Sequence, residues 1–124
     1  MMDDRVSDLL GIIQEEIFIA RDLLENARLK TELFIQVRVD AILEANKNDE
    51  TLNHALRFLE RKRVNVCRAL ASAFGIPPER IAPNELAGLI DHPLAPEISR
   101  RTNMLKSIMA DFRSVNEHNL RLID

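Results

Sequence analysis

A heptad stripe of apolar residues extends along the first third of the chain and limits the folds open to it. Between residues 4 and 45 the stripe advances in alternating steps of four and three, through Val6, Leu10, Ile13, Ile17, Ala20, Leu24, Ala27 and Phe34, with Thr31 at its one polar place. This spacing is typical of an amphipathic helix packed against other helices. The phase changes near Phe34 before the stripe continues through Val37 and Ala41, which indicates a change of winding or of packing partner.

Two segments predict breaks in the helical pattern. The polar residues at 45–49 predict the end of the first helix, with Asn48 or Asp49 capping the second. That segment contains neither Gly nor Pro, so a helix that continues through it is the alternative. Residues 74–78 place Gly75 at the left-handed position after a helix, followed by two prolines, and predict a chain reversal.

The remaining residues predict one short helix and one long one. Asn84 is the predicted cap of a short helix over residues 85–91, and a final helix begins near Pro96. The stripe of the final helix contains Ile98, Leu105, Ile108, Phe112, Val115, Asn119 and Leu122. No segment alternates with the period of a strand. We therefore predict an all-α fold, an antiparallel helical bundle or coiled coil of two to three long helices plus one short helix, with residues 1–124 as a single domain.

Charge, aromatic content and cysteine usage argue against several classes of protein. The net charge is -3 and the chain has neither Trp nor Tyr, which disfavours nucleic-acid binding. We interpret the basic run at residues 61–63 as a solvated helix face. The single cysteine, the acidic residues among the first four and the lack of an apolar run of membrane-spanning length predict a cytoplasmic protein with no membrane insertion.

The residue types that usually carry catalysis or bind metals are scattered. Glu50 and His54 share a helix face, but a di-metal bundle needs paired Glu-x-x-His motifs, so we interpret them as a surface pair. Cys67 lies beside the apolar stripe and is interpreted as a buried structural thiol, and His118 as a solvated side chain. With three glycines in the chain, no phosphate loop is present. We expect no catalytic residues, metal or cofactor, although an enzyme built from scattered Arg and Glu side chains would leave no motif.

Apolar residues outside the stripe predict that the first helix is buried on several sides. They are Ile12, Phe18, Ile19 and Leu23, and farther along Leu33, Ile35, Val39 and Leu43. A helix that is apolar over much of its circumference must meet several partners. Either another protein or a second copy in a homodimer covers the excess, or the chain forms a closed bundle with a wide core.

The final helix carries a polar pair near its end. Asn116 and Asn119 are three residues apart and therefore neighbours on one face, and Asn119 lies on the apolar stripe itself. A polar residue at such a position can set register or partner choice at some cost in stability. An ordinary fraying terminus is the alternative.

The order of these features resembles the FlgN family of flagellar export chaperones. A charged, leucine-rich helix over residues 56–63 leads to the stop at Gly75, a leucine-containing segment follows at 84–90, and the last helix ends with Asn116 and Asn119. The resemblance implies a cytoplasmic chaperone that binds the C-terminal helical segments of hook-filament junction proteins and delivers them to the flagellar export apparatus. It implies that the binding surface lies on the last helix, at Leu105, Ile108, Phe112, Val115, Asn116, Asn119 and Leu122. The alternative is a helical adaptor or self-associating coiled-coil protein unrelated to flagella.

Overall fold

Four α-helices account for most of the chain. The computed structural model describes the backbone of residues 2–123 and the side chains of residues 5–123, so Met1 and Asp124 lie outside the described residues. The helices are α1 (Met2–Ile35), α2 (Val39–Ala73), α3 (Pro83–Leu89) and α4 (Ala95–Ile123), with a 3-10 turn at Pro78–Arg80. Residues 2–123 contain no strand. The prediction of an all-α fold with three long helices and one short helix is confirmed.

The first helix lies between the other two long helices. α1 packs along α2 and along α4, whereas the backbones of α2 and α4 hardly approach each other within residues 2–123. Arg63 of α2 pairs with Glu16, so α2 is antiparallel to α1, as the contact of Asp49 with Lys30 also requires. α4 is parallel to α1 because Arg101 reaches the Leu10 carbonyl and Asn119 contacts Thr31. The result is an up-down-up arrangement with α1 at its centre.

The core consists of two clusters of buried side chains, and α1 contributes to both. The larger cluster joins all four helices and contains Val6, Leu9, Leu10, Ile13, Ile17, Ala20, Cys67, Leu70, Ala71, Leu86, Ile90, Ala95, Ile98 and Leu105. The smaller one contains Leu23, Leu24, Ala27, Leu56 and Phe112. Two faces of α1 are therefore buried by partners from the same chain, which accounts for much of the predicted apolar excess.

The prediction that the first helix continues to residue 45 and breaks at 45–49 is wrong. α1 ends at Ile35, and α2 runs without interruption through the polar segment. The chain reverses at Val37, whose φ is 54°. The Val37 N–H donates to the Phe34 carbonyl (3.2 Å) and the Arg38 N–H to the Leu33 carbonyl (3.0 Å), the two hydrogen bonds of a Schellman motif. The change of phase near Phe34, which predicted a change of winding or of packing partner, lies at this turn.

Tertiary contacts explain why the polar segment stays helical. Asp49 does not cap a helix; its carboxylate accepts hydrogen bonds from Asn26 (2.8 Å) and Lys30 (2.6 Å) of α1. Asn26 also donates to the Ala45 carbonyl (2.8 Å). These contacts occupy the side chain that would otherwise favour a turn, and they fasten the start of α2 to α1.

The helix ends predicted farther along the chain agree better with the structure. Gly75 has a φ of 67°, and the Ile76 N–H donates to the Ala71 carbonyl (2.8 Å), so the predicted reversal after the second long helix is confirmed. α4 begins next to Pro96, as predicted. The short helix begins at Pro83 and not after Asn84, because Ala82 occupies its N-cap position and proline suits the first turn.

Candidate functional site

The seven side chains predicted to bind a partner lie along α4 in three environments. Leu105, Phe112 and Asn119 are buried; Ile108, Val115 and Asn116 are half-buried; Leu122 is exposed. Leu105 belongs to the larger core cluster and Phe112 to the smaller one, with Ile108 and Val115 packed against them. Most of the stripe therefore holds α4 against α1, and Leu122 is the member most open to solvent.

Asn119 meets the polar residue of the α1 stripe. Its amide nitrogen donates to the Ala27 carbonyl at 2.9 Å, and its amide oxygen accepts from the Thr31 hydroxyl. Both halves of this buried amide are therefore satisfied by α1. The polar place of the α1 stripe, Thr31, pairs with Asn119 of the α4 stripe, so a shift of α4 by one turn would leave buried polar groups without partners. Asn119 consequently sets the register of α4 on α1.

Exposed apolar side chains collect at one end of the bundle. Seven of the twelve large exposed hydrophobic residues of the described chain lie where α1 joins α2 and where α4 ends. We call this set the apolar tip: Ile35, Val37, Val39, Leu43, Leu120, Leu122 and Ile123. The contact between Thr31 and Asn119 brings the last turn of α4 to the end of α1. Such a concentration of exposed apolar residues is typical of a surface that meets another protein.

A cleft separates α2 from α4 in the middle of the bundle. Its volume is about 260 Å³, and Glu16 of α1 forms part of its lining. α2 contributes Leu56, Glu60 and Arg63, and α4 contributes Thr102, Leu105, Lys106, Met109 and Arg113; residues 82–84 complete the wall. The cleft exists because α1 separates α2 and α4 along most of their length.

An ion pair with one buried partner lies in this cleft. Arg63 donates to Glu16 Oε2 at 2.7 Å, and the Glu16 side chain is 1% exposed. Burial raises the pKa of Glu16 from 4.5 to about 7, although the positive charge of Arg63 acts in the opposite direction. The prediction of a solvated basic run at residues 61–63 is correct for Arg61 and Lys62, which are exposed, and wrong for Arg63.

The other chemically reactive residues have the environments that their patterns predict. Cys67 is buried, and burial raises the pKa of its thiol to about 11, so it stays protonated near neutral pH. Glu50, His54 and His118 are exposed. Within the part of the chain that the structure describes, no group of three His, Cys, Asp or Glu side chains could hold a metal ion. None of the helices described is long and apolar enough to cross a membrane.

Glu16 and Asn26 were not identified from the sequence, although a second stripe on α1 contains both. Positions 9, 12, 16, 19, 23, 26, 30 and 33 repeat the same heptad steps and face α2. Three members of this stripe are polar, Glu16, Asn26 and Lys30, and all three pair with α2. A charged residue within an otherwise apolar second stripe was the available signal.

Comparison with known proteins identifies a family. The model of the family described as FlgN protein matches residues 1–124, the whole chain. No curated protein and no solved structure matches it.

Proposed function

The chain belongs to the FlgN family of flagellar export chaperones, and on that premise we propose that it binds C-terminal helical segments of hook-filament junction proteins. In this proposal the segments are held in the cytoplasm and then delivered to the flagellar export apparatus. The family match over residues 1–124 carries the general role, and the apolar tip supports the mode of binding. The role requires binding and release of a polypeptide and no catalytic step.

The apolar tip is the proposed contact surface for the client. An amphipathic client helix would bury its apolar face against Leu122 and its neighbours Leu120 and Ile123, together with Ile35 and Val39 across the tip. This covers apolar surface on both molecules, which is how a chaperone prevents its client from aggregating. Within the predicted set, Leu122 supplies contact area and the half-buried Asn116 can orient the client. The buried members of the set pack against α1 and hold α4 in place.

The rest of the bundle positions this surface. Asn119 and Thr31 hold α4 in register with α1, and Asp49 fastens α2 to Asn26 and Lys30. These contacts place the last turn of α4 and the first turns of α2 beside the α1–α2 turn. We propose that residues 1–124 act as one unit, because every long helix packs on α1.

Calorimetric titration with the C-terminal segments of the host's hook-filament junction proteins tests this function. We expect saturable one-to-one binding with a negative heat-capacity change, the sign of apolar burial. If none of the segments binds, the proposed client is wrong, and a helical adaptor becomes the better hypothesis.

Self-association is the second candidate, because the same apolar tip could be covered by a second copy. Light scattering after size-exclusion chromatography separates the two. A dimer that persists when Leu122→Glu is introduced would place the contact elsewhere, whereas a dimer that this variant dissociates would place it at the tip.

A further inference from the structure

Three side chains that line the cleft between α2 and α4 each have a buried polar atom with no hydrogen-bond partner among the described residues. They are Glu16 Oε1, Thr102 Oγ1 and Asn84 Oδ1. Glu16 and Thr102 are among the four buried polar side chains of the described chain. Leaving such a group unpaired costs about 1–3 kcal/mol, so three in one cleft indicate a place where a partner is bound.

The chemistry of these atoms defines the group that would fit. Asn84 donates its amide to Asn103 (3.0 Å), which leaves its oxygen as an acceptor. Glu16 Oε1 is a second acceptor while the carboxyl is ionised, and the Thr102 hydroxyl can donate or accept. The occupant must therefore offer at least two N–H or O–H donors.

The charges around the cleft favour a neutral occupant. Glu16 is already paired with Arg63, and Glu60, Lys106 and Arg113 also line the cleft. Two acidic and three basic side chains leave no negative excess that would attract an ammonium or guanidinium group. A primary carboxamide is neutral, presents two N–H donors, and has an oxygen that Lys106, Arg113 or Thr102 can meet.

We propose that this cleft binds the side-chain carboxamide of a Gln or Asn residue from the client polypeptide. The inference rests on the proposed function, since the client helix would lie over α2 and α4 and send one side chain between them. A volume of about 260 Å³ far exceeds the roughly 30 Å³ share of one water molecule, so it accommodates such a side chain. Leu56, Leu105 and Met109 give its methylene groups an apolar wall.

The first test uses propionamide as a probe of the intact protein, followed by NMR. We expect saturable shifts at Thr102, Asn84 and the Glu16 carboxyl carbon in the millimolar range. Thr102→Val removes one hydroxyl at nearly constant volume and should abolish these shifts. Thr51→Val is the matched control, because Thr51 is exposed, is bonded to the Lys47 carbonyl and does not line the cleft. No saturable shift in the wild-type protein would overturn the proposal and leave the cleft as a site for water.

The second test measures affinity for the C-terminal segments of hook-filament junction proteins. We expect Thr102→Val to bind roughly three- to tenfold more weakly than Thr51→Val, the effect of one lost hydrogen bond. Its resistance to urea should equal or exceed that of the wild type, because the variant removes an unpaired buried hydroxyl. Equal affinities would overturn the proposal while the proposed function stands. Propionamide binding without any client binding would instead support the cleft as a carboxamide site and contradict the proposed function.

Discussion

The two ends of the bundle are stabilised by different interactions. At the closed end, by which we mean the larger core cluster with α3 against it, Leu86 and Ile98 are fully buried. At the apolar tip no short helix covers the long ones in the described chain, and apolar side chains face solvent. Polar contacts, among them that of Asn119 with Thr31, hold the helices together near the tip. Register at the tip therefore does not require its apolar residues, which remain available to a partner.

The two Schellman turns repeat this contrast. After α2 the left-handed position is occupied by Gly75, which adopts a positive φ without steric cost. After α1 it is occupied by Val37, a β-branched residue for which this conformation is a true outlier. The side chain of Val37 is 75% exposed. A strained, exposed apolar residue at the tip is easier to explain by a binding role than by stability.

The largest effect that we expect is a difference in the free energy of unfolding between two variants, each of which truncates one isoleucine at one end of the bundle. Ile98→Ala at the closed end should lower the free energy of unfolding by about 2–5 kcal/mol, because Ile98 is 0% exposed and its loss leaves a cavity. Ile35→Ala at the tip should change it by less than about 0.5 kcal/mol, because Ile35 is 63% exposed. Urea unfolding of both variants gives the comparison. Equal losses would show that the tip is part of the core.

The next effect concerns Glu16, which lies on α1 between the two ends. Its pKa is raised from 4.5 to about 7 in the fold, so the folded protein holds the proton more tightly than the unfolded chain. The contribution of the Glu16 carboxyl to the free energy of unfolding is therefore fully present below pH 4.5, and it is lost as the pH rises to about 7. The shift corresponds to about 3 kcal/mol. Arg63 and Glu60 are the charged groups that act on it.

Glu16→Gln removes this titration while it keeps the size of the side chain. We expect the wild type to lose stability relative to the variant between pH 5 and pH 8, as measured by urea unfolding at both values. The difference between the two proteins cancels the titration of all groups that they share. If both show the same pH dependence, Glu16 does not titrate in this range.

The smallest effect sharpens the contrast between the turns. Val37→Gly should raise the free energy of unfolding by about 0.5–1 kcal/mol, because relief of the left-handed strain exceeds the added flexibility of the unfolded chain. Gly75→Ala should lower it by a similar amount, since its φ is 67°. Thermal unfolding of both variants measures the two changes. A loss of stability in Val37→Gly would mean that the valine side chain itself supports the turn.

The all-α class and most helix boundaries could be predicted from the sequence, because heptad spacing and the Gly75 stop are local features. The turn at Val37 could not, since a β-branched residue is among the least expected at a left-handed position. The polar segment at 45–49 led to the wrong prediction of a helix break for the opposite reason. Its residues favour turns by themselves, and the contacts of Asp49 with Asn26 and Lys30 overrule that preference.

The candidate site was harder to predict for a related reason. A stripe identifies the face of α4 that is buried without identifying what covers it, so Leu105 and Phe112 could be assigned to a partner although they pack on α1. Leu122 belongs to the same stripe, but it lies in the last turn of α4 and is 41% exposed. Glu16 was missed because its neighbours in the second stripe are apolar, and only the position of Arg63 on α2 explains its burial.

The central claim is that the apolar tip binds the client and the surface around Leu94 at the closed end does not. Calorimetric titration of a hook-filament junction C-terminal segment into Leu122→Glu and Leu94→Glu tests it most directly, since the two leucines are 41% and 39% exposed at opposite ends. We expect Leu122→Glu to weaken binding by about tenfold or more, because a charge would be buried in the interface, and Leu94→Glu to bind as the wild type does. Equal affinities, or the greater loss in Leu94→Glu, would contradict the account.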